Sequence, residues 1–341
     1  MKLKFQLILL FCSLIIILGW LGLGGCGRVA ETAATTTSTT TTTAGSTTTS
    51  TTTTTTTTIR LNDLYFDDNT NGVVAGSNGT IYETINSGES WSTLSSGTSA
   101  DLYFIRLDDE GDGDACGSGG TYLSSSDNGV TWTSQNLATT LTMYDLVDND
   151  EATIWIGAAG TIIRTTDGVN IDTVSSGTTK TLYKAVSFED EIPIFVAVGA
   201  DGTIIRSTDS GATWTAISSP TDETLYALYF NDDTSRVWSA GSNGAILKST
   251  NSGESWTLIE TATNVPQTIY DVHAVAEGIH VAGADGLYAF SLDDGDTWAT
   301  NETNTTEDLF GIRSNLGYTL AVGNNNTIVR STQSGFIQVV P

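Results

Sequence analysis

Seven stretches of this chain, each opening on an aliphatic residue, carry at two fixed places the side chains best suited to chemistry. The first place holds Asp63, Phe104, Asp145, Lys184, Ala227, Asp271 and Gly311. The second, two residues on, holds Tyr65, Arg106, Val147, Val186, Tyr229, His273 and Arg313. Carboxylates, an ammonium, guanidinium groups and an imidazole can move protons, bind ions or hold a polar partner. Both places vary from stretch to stretch while their neighbours repeat. Such variation reads as release from packing, so Asp63, Arg106, Asp145, Lys184, Asp271, His273 and Arg313 are candidates to line a binding channel. Solvated variability is the plainer alternative. The place just before the first is aromatic in six stretches (Tyr103, Tyr144, Tyr183, Tyr226, Tyr270 and Phe310) and Asn62 in the remaining one. Uniformity of that kind is what a packing position between repeats should show, with an aromatic ligand platform as the other reading.

The elements that must position these residues follow from the repeat. A phrase of the form Gly241-Ser-Asn-Gly244-Ala-Ile-Leu-Lys-Ser249 recurs seven times, at Gly76, Gly117, Gly157, Gly199, Gly241, Gly283 and Gly323, spaced 40 to 42 residues apart. Each repeat divides into four short strands. In the fifth they are 224–230, 236–240, 245–249 and 256–259, with 241–244 a tight turn suited to positive φ. Four strands per repeat of this length predict an all-β, seven-bladed β-propeller of four-stranded antiparallel blades, and no helical period appears. The last blade has a strand of its own at 336–340, so exchange of strands between the termini is not required. The turns between second and third strands carry Asn78, Asp201, Asn243, Asp285 and Asn325. Together with Asp63, Asp145 and Asp271 they would make an acidic, hydrogen-bonding rim at the channel mouth.

Between third and fourth strands lies Ser249-Thr-Asn251-Ser-Gly253-Glu-Ser-Trp256, repeated at 84–91, 125–132, 207–214 and 291–298. This is the Asp box: its Asp or Asn caps backbone N–H groups, its Gly takes a positive φ, and its Trp packs between blades. The third and seventh copies are degraded, at 165–171 and 331–335. Blades of this form, Leu-Tyr-x-Ile/Val followed by Val-x-Gly-x-x-Gly-x-Ile-x-x-Ser/Thr-x-Asp-x-Gly-x-Thr-Trp, resemble the photosystem II stability and assembly factor family over residues 61–340. The resemblance implies a seven-bladed propeller that binds protein and assists the assembly or stability of an envelope or photosynthetic complex.

Asp boxes also occur in sialidases, which would need three arginines converging on a carboxylate and a Tyr–Glu pair. Arg164, Arg206 and Arg330, with Lys248, share one place on the third strand beside the box, and read as solvated strand residues rather than such a triad. Glycoside hydrolysis by two carboxylates is the enzymatic alternative, though no pair stands out, so no catalytic residue is assigned. Acid-rich segments 67–72 and 108–114 have the flavour of calcium loops but lack a closing Glu, and fall where polar turns are expected anyway. No metal ligand set or cofactor is assigned.

The balance of 13 Lys and Arg against 39 Asp and Glu gives a formal charge of -26. Such a chain repels nucleic acid, which is excluded as a partner, and favours a cationic protein surface. Residues 1–26 read as an export signal with a lipobox, Leu23-Gly24-Gly25-Cys26, which would make Cys26 the lipidated residue and place the domain on the extracytoplasmic side of a membrane. An uncleaved membrane helix and simple secretion are the other readings. Residues 27–58, largely threonine, have nothing to bury and form an extended stalk; the propeller would occupy 59–341. Cys116, at a place held elsewhere by Ala or Val, reads as a small buried hydrophobe, so no disulfide staples the fold.

Overall fold

The computed structural model describes residues 58–341 apart from 67, 109, 150, 189–192, 232–235, 260–264, 276–277 and 316. The export signal, Cys26 and nearly all of the threonine tract lie outside the described residues. Among those described are seven four-stranded antiparallel sheets, each running through its four strands in chain order. In blade 5 the strands are Leu225–Asn231, Arg236–Gly241, Ile246–Ser249 and Thr257–Ile259. The period-2 alternation of blade 5 buries Ile246 and Leu247 on opposite faces of the third strand, one toward each neighbouring blade. Each such side chain contributes about 1.5–3 kcal/mol on leaving water. Cys116 is fully buried, as its small-hydrophobe reading requires.

One irregularity recurs in every blade and decides where the candidate side chains go. The inner strand pairs with the second in register until its second residue, where it slips by one: Leu225 faces Gly241 and Ala227 faces Ala240, leaving Tyr226 unpaired. The same slip leaves Asn62, Tyr103, Tyr144, Tyr183, Tyr270 and Phe310 unpaired. These are β-bulges, and a bulge re-aims the extra residue out of the alternation of its strand.

The Asp boxes hold as read. Asp209 accepts from Thr213 at its backbone N–H (2.8 Å) and its hydroxyl (2.6 Å), while Ser207 Oγ accepts from Gly211 N–H (3.0 Å). Gly211 has φ 75°, and a Cβ there would stand 2.4 Å from Ile154 Cδ1 of blade 3. Trp214 packs with Ile154 and Ile156 of that same blade. The box is therefore a plug pressed into its predecessor. The degraded third box keeps its cap, since Asp167 still accepts from Val169 and Asn170 N–H.

The third-strand cations are not solvated strand residues as the sequence implied. Arg164 donates to Ser210 O (2.7 Å), Arg206 to Ser252 O (2.9 Å) and Arg330 to Ser87 O (2.9 Å), each carbonyl belonging to the Asp box of the next blade. Lys248 reaches Asp294 in the same way, by its carboxylate at 2.5 Å. The positive φ of each box residue (52–61°) turns its carbonyl toward the preceding blade, where a long cation meets it. Arg330 joins blade 7 to blade 1, and Leu61, Leu64 and Val74 share a core cluster with Leu320, Val322 and Ile328. The ring closes there. Blade 7 takes its outer strand, Gly335–Val339, from its own C-terminal segment, paired with Ile328–Thr332.

Candidate functional site

The bulges send six aromatic side chains into the central channel rather than between blades, correcting the packing reading. Successive ring centroids from Tyr103 through Tyr144, Tyr183, Tyr226 and Tyr270 to Phe310 lie 5.0, 5.1, 5.1, 5.5 and 4.7 Å apart. Their planes are inclined by 48–60°, so each ring leans on the next. Burial, foremost, raises the pKa of Tyr103, Tyr183 and Tyr270, which keeps these phenols neutral at pH 7. Blade 1 leaves a gap in the ring because Asn62 turns aside and donates its amide to Leu102 O (2.7 Å). Into the mouth reaches Arg60, whose guanidinium carbon stands 3.7 Å from the centroid of Phe310. The rings enclose a cavity of about 100 Å³ whose remaining walls are Arg60, Asn62, Asp63, Lys184 and Asp271.

Beneath the rings, Asp63, Asp145 and Asp271 are buried and do not form a rim. Each holds the inner strand of the following blade. Asp63 accepts from Ile105 N–H (3.1 Å), Asp145 from Ala185 N–H (2.8 Å) and Asp271 from Ile312 N–H (2.9 Å). The physical reason lies in the innermost position of these strands. Their channel-side N–H groups have no neighbouring strand to bond, and a buried donor left unpaired is costly. His273 serves the same need, accepting at Nδ1 from Ser314 N–H (3.2 Å). Burial and then Arg313 hold its pKa well below 6.5, so the ring is neutral and free to accept.

The candidate cations are also tied. Lys184 pairs with Asp145 (3.0 Å), and Arg313 with Asp271 (3.2 Å) and, more distantly, Asp63 (3.8 Å). Burial works against the Lys184 charge, but Asp145, then Asp63 and Asp271, outweigh it and raise its pKa. Burial pushes Asp145 up to about 6 against the pull of Lys184. Arg106 lies outside the cavity altogether: it bridges Asp114 of its own blade (2.7 Å) and Asp148 of blade 3. Arg106, Asp145, His273 and Arg313 are thus joints between blades, while Asp63, Lys184 and Asp271 are joints that also floor the cavity.

The turn residues Asn78, Asp201, Asn243, Asp285 and Asn325 are exposed with φ of 53–57°. Because the end of each second strand pairs with the start of the inner one, these turns stand at the same end as the rings. Asn78 N–H donates to Asp101 (2.9 Å), Asp285 N–H to Asp308 (3.0 Å) and the Asn243 amide to Glu223 (3.0 Å), while Lys180 pairs with Asp201. An acidic rim therefore exists, built from Asp101, Asp201, Glu223, Asp285 and Asp308 rather than from the buried inner-strand aspartates. Arg60, Asp101 and Asp308 were missed in the sequence because they precede the inner strands, outside the repeated phrase. At the other end of the blades, Asp68 caps Thr70 and Asn71, and Asp108 caps Glu110 and Asp112. No group of three metal-ligating side chains converges among the described residues.

Two family models match adjoining parts of the chain. The Photosynthesis system II assembly factor YCF48 model matches residues 44–170, and the DUF6242 beta propeller domain model matches 166–330. No curated protein matches the sequence. Among solved structures, YCF48 bound to D1 peptide is 18% identical with a TM-score of 0.65, over 84% of this chain and 93% of that one. YCF48 from Cyanidioschyzon merolae is 18% identical with a TM-score of 0.62, over 80% and 95%. The WD40 beta propeller domain of Doa1 is 13% identical with a TM-score of 0.64, over 82% and 96%. At these identities the structures speak for the fold, and the family match bears out the resemblance carried by the repeats. The chain is a seven-bladed β-propeller that resembles the photosystem II assembly factor family.

Proposed function

We propose that this chain is an exported, membrane-tethered interaction propeller that binds a segment of a protein partner at the channel mouth and acts as an assembly or stability factor for an envelope complex. The observation that carries the reading is the aromatic funnel framed by carboxylates at one end of the channel. Aromatic walls give contact area at low entropic cost, and an acidic rim draws a cationic surface and speeds its encounter at low salt. The assembly-factor family model supports a protein partner, as does a relative of the same fold described as bound to D1 peptide. The reading is of a binding module, not an enzyme. The glycoside-hydrolase alternative gains no support, since the inner-strand carboxylates are each committed to a cation or to backbone N–H groups. Export and anchoring rest on the lipobox at Cys26. No helix among the described residues is long and apolar enough to cross a membrane.

Two experiments test this. A photo-crosslinking residue placed at 183 or 226 in the living cell should capture one and the same envelope protein, while one at 208, at the Asp-box end, should not. Capture from 208 alone would overturn the choice of face. Separately, Cys26→Ser should release the chain from membranes or block its maturation; unchanged retention would contradict the lipid anchor.

A further inference from the structure

We propose that the channel mouth is a receptor for a guanidinium side chain, in which Arg60 is the resident occupant and an arginine of the protein partner is the group it gives way to. Four observations converge. The first is Arg60 itself, stacked at 3.7 Å on Phe310 beside the gap that Asn62 leaves in the ring. A guanidinium over an aromatic face is attracted by the ring quadrupole, the more so where water is partly excluded. No ion pair to Arg60 occurs among the described residues, so the aromatic walls are its principal contact.

The second observation is Asn62. Its Oδ1 is buried and accepts no hydrogen bond among the described residues, and Asn62 is one of the residues that line the cavity. Its amide nitrogen is committed to Leu102 O, so the orphan is the acceptor. A buried acceptor calls for a donor, and a guanidinium brings five N–H groups. Arg60, seated over Phe310, leaves it unmet, so the acceptor is still open to an N–H group of an incoming guanidinium.

Charge is the third. Below the rings, the carboxylates of Asp63, Asp145 and Asp271 pair, among the described residues, with the two cations Lys184 and Arg313. Asp101 and Asp308 at the rim add to the field at Arg60. With Arg60 seated, three cations stand against the three carboxylates below the rings, and only a cationic replacement keeps that balance.

The fourth concerns exchange. The backbone of Arg60 is fixed on both sides by Ser77, which receives its N–H at Oγ (2.9 Å) and donates N–H to its carbonyl (2.7 Å). Only the side chain needs to swing for the seat to empty, and no strand has to open. This inference deepens the interaction reading above and rests on the channel mouth being its binding face.

The test uses full-length protein in detergent and small probes, so it does not depend on finding the partner. Nα-acetyl-arginine amide is titrated calorimetrically into wild type, Arg60→Ala and Arg60→Gln, with Nα-acetyl-citrulline amide as the uncharged isostere. With the resident cation removed, both variants should bind the arginine probe about tenfold or more tightly than wild type, and the citrulline probe about tenfold more weakly than the arginine one. Adding Tyr183→Ala to Arg60→Gln should cancel the gain. Thermal melts establish that each variant is folded. If a folded Arg60→Gln gains no affinity, or takes citrulline as well as arginine, Arg60 is a structural filler and the proposal fails. That failure would leave capture of a protein at positions 183 and 226 standing. Loss of crosslinking there with arginine binding intact would instead sink the partner reading alone.

Discussion

Removing Asp271 tests the account of the inner-strand aspartates as joints between blades. Its carboxylate accepts from Val272 N–H (2.9 Å), Ile312 N–H (2.9 Å) and Arg313 (3.2 Å). In Asp271→Ala, two buried N–H groups lose their acceptor and Arg313 keeps Ile312 O (2.7 Å) and only a long contact to Asp63 (3.8 Å). Breaking a buried pair from one side costs about 3–5 kcal/mol, and an orphaned backbone donor about 1–3 kcal/mol, the two overlapping. Because Arg313 retains partial compensation, the lower half applies: about 3–4 kcal/mol at pH 7. Asp271→Asn keeps one oxygen acceptor and should lose about half of that. Replacing both partners, Asp271→Ala with Arg313→Leu, should cost less than Asp271→Ala alone, since no charge is left stranded. Urea unfolding followed by tryptophan fluorescence reads each loss from the midpoint at constant slope. The comparison is Asp209→Ala, a cap near the surface worth about 1 kcal/mol. If Asp271→Ala costs no more than Asp209→Ala, or the double variant costs more than the single, the joint is not what holds these strands.

Other consequences can be checked in the same assay. Arg206→Met keeps the length of the side chain but loses the bond to Ser252 O, and should destabilise by about 1–2 kcal/mol. Gly244→Ala should be worse, because φ is 68° and the new Cβ would lie 1.8 Å from Val265 O, a clash that only backbone movement relieves. Stability should also vary with pH in two opposite steps. Burial raises Asp271 and pushes Asp145 up to about 6 from an ordinary 3.8, so the folded chain takes up these protons first and they add stability as pH falls from 7 towards 4. His273, held well below 6.5, opposes them by staying neutral as the unfolded chain's histidine protonates. Below about pH 4 the sign reverses. Asp127, Asp167 and Asp293, held low by the N–H and hydroxyl groups they cap, stay ionised while the unfolded chain protonates, and stability falls. A melting temperature that falls steadily from pH 7 to pH 3 in a folded His273→Gln chain, where the opposing histidine is gone, would contradict the first step.

Much of this architecture is legible because each blade repeats the same local choices. The Gly-x-x-Gly turn, the capped box and the box tryptophan all act within a few residues, so spacing alone reveals them. What escaped was long-range and non-uniform. The bulge had a signal: buried aliphatics stand three apart at Leu225 and Leu228, as at Leu61 and Leu64, which period-2 alternation does not allow. Read that way, the residue after the first aliphatic had to leave the core, and the aromatics could have been placed in the channel. Variation at Asp63, Asp145 and Asp271 was mistaken for exposure, although an unpaired inner-edge N–H can be satisfied equally by Asp or His. The third-strand cations carried a clue too. Arg164, Arg206, Lys248 and Arg330 each precede a blade with an intact box, while the two degraded boxes follow Ser124 and Phe290. Arg60 had none, lying before the first repeat.

The claim at the centre is that the aromatic mouth, and not the Asp-box end, meets the partner. Pairing thermal melting with partner capture on Tyr183→Ser/Tyr226→Ser and on Asp209→Ala separates the two ends. The tyrosine pair lines an open cavity, so the double variant should melt close to wild type and lose capture; Asp209→Ala should melt lower and keep it. Normal capture by a folded Tyr183→Ser/Tyr226→Ser chain would place the partner elsewhere and contradict the account.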